Sequence, residues 1–104
     1  GELETAKRLN LSIIFVVISN SVYGWIKAGQ KSSFNKRYYS VDFSRTDHAK
    51  VASSYGVKTW TVKKPNDLKK IISKAIKYEK GPCLIDIISQ PLEEAKAPVS
   101  EWIA

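Results

Sequence analysis

At 104 residues the chain is one domain or part of one, since any further division would leave pieces too small to bury a core. An apolar fraction of 43% beside a charged fraction of 26% excludes a disordered tract, and a single cysteine, Cys83, excludes an intrachain disulfide or a cysteine metal cluster. The net charge of +7 brings nucleic acid to mind, but the densest lysine group (Lys69, Lys70, Lys74, Lys77, Lys80) falls on the polar side of one predicted helix, the pattern of a solvated face.

Glu2 to Leu9 combines good helix formers with Leu3, Ala6 and Leu9 at helical spacing, and Asn10 suits the left-handed residue that closes a helix. No capping residue precedes it and the sequence has no methionine, so the chain reads as an excised or trimmed piece that opens in the middle of a helix. Leu11 to Ile18 is a nearly continuous β-branched run. A strand of this kind belongs in a parallel sheet with helices on both faces, because burying each such side chain is worth roughly 1.5–3 kcal/mol. Its apolar core, Ile13 to Ile18, is too short to span a bilayer and runs into polar residues, not a cleavage site; the expectation is a soluble, cytoplasmic protein.

Ser19 to Gly24 is a polar turn, Trp25 to Gln30 a short helical stretch, and Lys31 to Ser40 a polar, aromatic loop whose Phe34, Tyr38 and Tyr39 suit packing on a neighbouring domain. A helix is expected from Thr46, its N-cap, through Tyr55, with Gly56 as the stop and Ala49, Val51, Ala52 and Tyr55 as the buried face. Val57 to Val62 is a second strand. Pro65 opens a helix whose Leu68, Ile71, Ile72, Ala75 and Ile76 follow an amphipathic spacing up to Gly81-Pro82, and Cys83 to Ile88 is a third strand. Residues 89–104 form a tail with Pro91, Pro98 and Trp102. Strands separated by helices predict an α/β fold: a three-layer parallel sheet with right-handed crossovers, in the manner of the latter half of a larger sheet.

In open α/β sheets ligands bind beyond the carboxyl ends of strands, and the first strand delivers Ser19 to Gly24 there. An amide, two hydroxyls and a following helix N-terminus favour phosphate and supply the oxygen ligands that Mg²⁺ prefers. Three other residues invite a bland reading. His48 is expected as a solvated helix histidine, Cys83 as a small buried hydrophobe, and Asp86 as a structural carboxylate paired with a backbone group or a lysine.

The run ELETAKRLNLSIIFVVISNSVYGWIKAGQ resembles the second half of the thiamine-diphosphate motif in the acetolactate synthase and benzoylformate decarboxylase superfamily. YYSVDFSRTDHAKVASSYGVK and KKPNDLKKIISKAIKYEKGPCLIDIISQP resemble that family's following segments in the same register, so the likeness covers nearly the whole chain. It implies the C-terminal portion of a thiamine-diphosphate-binding domain. Asn20 would be a side-chain ligand to Mg²⁺ and Val22 a backbone ligand; Ser21, Tyr23 and Gly24 would lie along the diphosphate, and Trp25, Ile26 and Gly29 would border the entrance to the reacting carbon. Ser19 stands where the family usually has a first Asn, and the family's Gly-Asp-Gly would fall before Gly1. The activating Glu of the family also lies outside this sequence. The resemblance therefore implies part of an acetolactate synthase-like carboligase or decarboxylase acting on a 2-keto acid, inactive alone. Its partners would be the remaining enzyme domains or a second subunit. The alternatives are a non-catalytic, self-associating α/β module and a small basic nucleic-acid-binding protein.

Overall fold

A computed structural model describes residues 1–91. The expectations for Pro98 and Trp102 lie outside the described residues. The elements run α1 (Glu2–Arg8), β1 (Ile14–Ser19), α2 (Gly24–Ser33), α3 (His48–Ser54), β2 (Lys58–Val62), α4 (Pro65–Lys77) and β3 (Cys83–Ile88). They fall into two compact units, one made of Gly1–Ser19 with Asp47–Ile88 and the other containing Asn20–Thr46.

The first unit holds the sheet. Its strands are parallel in the order β1-β3-β2, so β3 bonds to a neighbour on both edges, with Val17 and Thr61 level with Asp86. Side chains alternate across the pleat and divide the core in two. Leu84 packs on one face with Phe15, Val17, Val57, Ala52 of α3 and Leu3 of α1. Cys83 and Ile85 pack on the other with Val62, Trp60, Ile87 and Ala75, Leu68 and Ile71 of α4. This is the expected three-layer arrangement.

Local signals explain the helix ends. In α1, Glu2 and Glu4 lie in the first turn and Lys7 and Arg8 in the last, each complementing the helix dipole, and Arg8 Nε donates to Glu4 Oε1 at 3.2 Å. Asn10 then turns the chain at φ 51°, as its residue type suggested. Gly56 stops α3 at φ 77°. Gly81 sits at φ 146°, a conformation that favours glycine, with the Asn10 side chain close by.

Several boundaries and faces differ from expectation. β1 begins at Ile14, not Leu11. The cap of α3 is Asp47, not Thr46: its carboxylate accepts the Lys50 N–H at 3.0 Å, and a charged acceptor outcompetes the neighbouring hydroxyl. Only the small Ala49 and Ala52 of α3 are buried, while Val51 and Tyr55 are exposed. The last helix ends at Lys77, short of Gly81-Pro82, because Tyr78 adopts an extended backbone and sets its ring edge-on to Trp60 at 6.2 Å. Of its expected apolar stripe, Ile72 and Ile76 are exposed.

A sheet of three such strands is expected to leave an edge and part of a face uncovered, and in β1 it does. Phe15 and Val17 face the core, but Ile14, Val16 and Ile18 are exposed, Ile18 at 69%. The β1 strand is also an edge of the described sheet. Beside it, Ala6, Leu11, Ile13 and Phe15 line an open, mainly apolar groove of about 550 Å³. An apolar row on a free sheet edge is a template for association. The chain is therefore expected to sediment as dimers or larger species at high micromolar concentration. An Ile18→Lys variant should associate at least about tenfold more weakly, the loss of one buried aliphatic contact, while its urea midpoint stays close to that of the parent. A monomeric parent in analytical ultracentrifugation would contradict this.

Candidate functional site

Beyond Ser19 the chain enters a turn built from the polar residues that the sequence singled out. Asn20 is half-buried, and its Oδ1 accepts the Val22 N–H at 3.3 Å, an Asx turn that bends the backbone over Ser21. Ser21 adopts φ 56°, a left-handed conformation that costs an L-residue roughly 1–2 kcal/mol. The turn is held by a returning segment. Tyr23 N–H donates to the Val41 carbonyl at 2.8 Å and Phe43 N–H to the Ser21 carbonyl at 3.1 Å, so Val22 and Asp42 form an antiparallel bridge. Val22 and Val41 are buried by this pairing, and the rings of Tyr23 and Phe43 meet edge to face at 5.2 Å.

Tyr23 caps α2. The helix has no side-chain cap and no acidic residue in its first turn. Every other described helix carries a carboxylate at that end: Glu2 and Glu4 in α1, Asp47 in α3 and Asp67 in α4. The first N–H groups of a helix have no intrahelical partner and carry partial positive charge, so the start of α2 keeps its attraction for an anion. Gly24, its first residue, is buried, while Trp25 and Ile26 are exposed. Asn20, Ser21, Val22, Tyr23, Gly24 and Trp25 thus form one contiguous feature, an oxygen-rich turn leading into an electropositive helix end.

Its donor set can be tested against a diphosphate-bound cation. The amide oxygen of Asn20 has two lone pairs, of which the bond to Val22 N–H uses one. Among the described residues no group of three His, Cys, Asp or Glu side chains is gathered to hold a metal. A metal at this turn would therefore rest on neutral oxygens and on the charge of a bound phosphate, the coordination Mg²⁺ accepts when it arrives with a nucleotide-like ligand. The residues present fit such a group.

At the end of the sheet, Asp86 is fully buried and accepts the Ser19 Oγ hydrogen at 2.9 Å. Asp86, expected from the sequence to be a structural carboxylate, counts the Ser19 hydroxyl among its partners. Ser19 also faces the core side of β1, so the hydroxyl that replaces an amide has a structural task of its own. His48 begins α3 and is half-buried. Cys83 is a free, buried thiol, and burial pushes its pKa above the ordinary value, which suppresses the reactive thiolate. None of the described helices is long and apolar enough to cross a membrane.

The family model described as the thiamine pyrophosphate enzyme, C-terminal TPP binding domain, matches residues 1–87. The chain belongs to this family. It is 35% identical over 86 residues to the acetolactate synthase of Bacillus subtilis (strain 168), a match covering 83% of this chain and 15% of that protein. It is 30% identical over 91 residues to a probable acetolactate synthase large subunit of Methanococcus aeolicus, covering 86% of this chain and 15% of the relative. A 2-hydroxyacyl-CoA lyase 1 of Mus musculus is 25% identical over 112 residues, covering 98% of this chain and 19% of the relative. The chain thus spans about one-sixth of the length of these relatives. As a fragment of the C-terminal thiamine pyrophosphate-binding domain, it carries the parallel sheet with helices that the sequence predicted.

Sequence reasoning did not single out Lys27, Gln30 and Asp42 for this feature. Lys27 Nζ meets Asp42 Oδ1 at 2.7 Å and lies 4.9 Å from the centre of the Tyr38 ring; Gln30 exchanges two side-chain hydrogen bonds with the Tyr39 backbone. Nothing local in the sequence marks these partners, which are 9 to 15 residues apart.

The Ser19–Asp86 bond yields a direct expectation. Replacing Asp86 by Ala leaves the Ser19 hydroxyl without this acceptor inside the sheet and should lower unfolding stability by about 1.5–3 kcal/mol, whereas Ser19→Ala should cost less, about 1 kcal/mol. Urea titration followed by circular dichroism measures both.

Proposed function

We propose that the chain supplies part of the diphosphate and Mg²⁺ site of a thiamine-diphosphate-dependent 2-keto-acid enzyme of the acetolactate synthase type. Asn20 contributes its side-chain oxygen and Val22 its backbone carbonyl to the metal, Ser21, Tyr23 and Gly24 lie along the diphosphate, and Trp25 borders the approach to the reacting carbon. The observation that carries this reading is the uncapped, carboxylate-free start of α2 directly after an oxygen-rich turn, in a chain of the thiamine pyrophosphate-binding family. Bound thiamine diphosphate would supply the electron-accepting carbon centre through which a 2-keto acid loses CO₂ and passes on the remaining fragment.

The residues of this chain bind and orient. The helix start balances diphosphate charge, the Asx turn aims the Asn20 oxygen, and the exposed indole of Trp25 offers an apolar wall. By the family resemblance, a carboxylate metal ligand comes from the Gly-Asp-Gly that falls before Gly1, and the activating Glu from another domain or a second subunit. The exposed row on β1 supports that assembly, because it offers those parts an apolar surface.

The test is nuclear magnetic resonance titration of the chain with thiamine diphosphate and Mg²⁺. With two neutral ligands and no carboxylate, affinity should be weak, on the order of millimolar, with shifts confined to the amides of residues 20–26. Asn20→Ala should abolish the Mg²⁺-dependent part. Shifts centred on α4, or a response indifferent to Asn20→Ala, would refute the assignment.

A further inference from the structure

The turn at Ser21 does not hold itself. Ser21 is left-handed, and the Asx bond across it is long at 3.3 Å, so local chemistry alone is a poor guarantee of its shape. What fixes it arrives from residues 38–43. That segment is not an ordinary loop: it pairs with the turn through the backbone bonds of Tyr23 and Phe43, and α2 grips it from the other side. Lys27 and Gln30 are three apart, on one face of α2. Gln30 matches both hydrogen-bonding groups of Tyr39, its Oε1 accepting the Tyr39 N–H at 3.2 Å and its Nε2 donating to the Tyr39 carbonyl at 3.4 Å, so a side chain replaces a strand neighbour. The side chain of Lys27 is 14% exposed, with its ammonium held between the Asp42 carboxylate and the Tyr38 ring.

We propose that residues 38–43 form a strap, latched to α2 by the Lys27–Asp42 ion pair and the Gln30–Tyr39 clamp, that sets the backbone of Ser21–Tyr23, and that Lys27, Gln30 and Asp42 are thereby positioning residues for the cofactor turn. The geometry carries the reasoning. Asp42 is the residue opposite Val22 in the bridge, so the atom that Lys27 holds belongs to the residue that faces the proposed backbone ligand. The Ser21 carbonyl, one peptide before that ligand, is occupied by Phe43 N–H, which leaves its orientation fixed by the strap. Releasing Asp42 frees the bridge, and with it the peptide planes on both sides of Val22. The ion pair is only partly buried, and its importance lies in where it holds the chain, not in its strength.

The positioning role rests on the cofactor reading above; the strap itself does not. Hydrogen exchange of the chain at low micromolar concentration, read by mass spectrometry on peptides covering Tyr23 and Phe43, tests the strap, with a peptide covering β3 as internal reference. Lys27→Met and Asp42→Asn are expected to speed exchange at Tyr23 and Phe43 by about tenfold, while Lys27→Arg, which keeps the charge, stays near the parent and β3 is unchanged in all three. The Mg²⁺–thiamine diphosphate shifts at Ser21 and Val22 should shrink in the Met and Asn variants and return with Arg. Unchanged exchange in Lys27→Met, or equal acceleration in β3, overturns the strap. Full shifts in the parent that persist undiminished in Lys27→Met overturn the positioning role alone. Loosening of the strap in variants of a parent that shows no shifts overturns the cofactor reading and the positioning role with it.

Discussion

Strand β3 gives both of its edges to parallel neighbours, and the rest of the sheet depends on that double pairing. The cost of burying its backbone is met on two sides at once, so Cys83, Leu84 and Ile85 can each be almost wholly inside. Two helices close one face and one helix closes part of the other. Parallel pairing also fixes a polarity. Ser19 is level with Ile88 and Val62 with Ile87, so the carboxyl ends of all three strands reach the same edge of the sheet. The Ser19–Asp86 bond ties the last residue of β1 to the middle strand one step before the chain leaves the sheet. Ligands of open α/β sheets usually bind beyond such an edge.

The chemistry of the turn follows from what is absent around it as much as from what is present. A carboxylate at the start of α2 would cancel the field that draws a diphosphate, and the first turn of that helix has none. The oxygens that the turn offers belong to a side-chain amide, a hydroxyl and the backbone, all of them neutral.

Most of the sheet was legible from residue pattern. Cys83 to Ile88 is the strand expected, because a continuous apolar run bounded by Gly81-Pro82 admits little else. Asn10, Gly56 and Pro65 each announced a backbone conformation that the structure adopts. The errors cluster where local preference competes with tertiary contact. Thr46 is a sound cap by propensity, yet Asp47 has the charge and takes the bond. Tyr55, Ile72 and Ile76 fit a helical stripe but lie outside the packed face, since α3 touches the sheet through alanines and α4 through Leu68, Ile71 and Ala75. The exposed row of β1 is the uncovered part of a face that a sheet of only three strands leaves, since α4 packs on β2 and β3.

The strap was invisible for a different reason. Helix and strand periodicities report contacts three or four residues apart, or alternation along one strand, whereas Lys27 with Asp42 and Gln30 with Tyr39 join a helix to an irregular segment at separations that no period marks. Lys31 to Ser40 read as loop because the segment has no period of its own: beyond it a single isolated bridge, Val22 with Asp42, is, among the described residues, the one strand-like pairing of residues 38–43. Yet the energetics there are not loose. A left-handed Ser21 costs roughly 1–2 kcal/mol, and two backbone hydrogen bonds at about 1 kcal/mol each offset it, so the turn stands only while the strap is in place. Sequence motifs thus singled out the residues of the turn, while the groups that hold them in shape are spread over an aromatic, polar segment that composition alone would assign to a neighbour's surface.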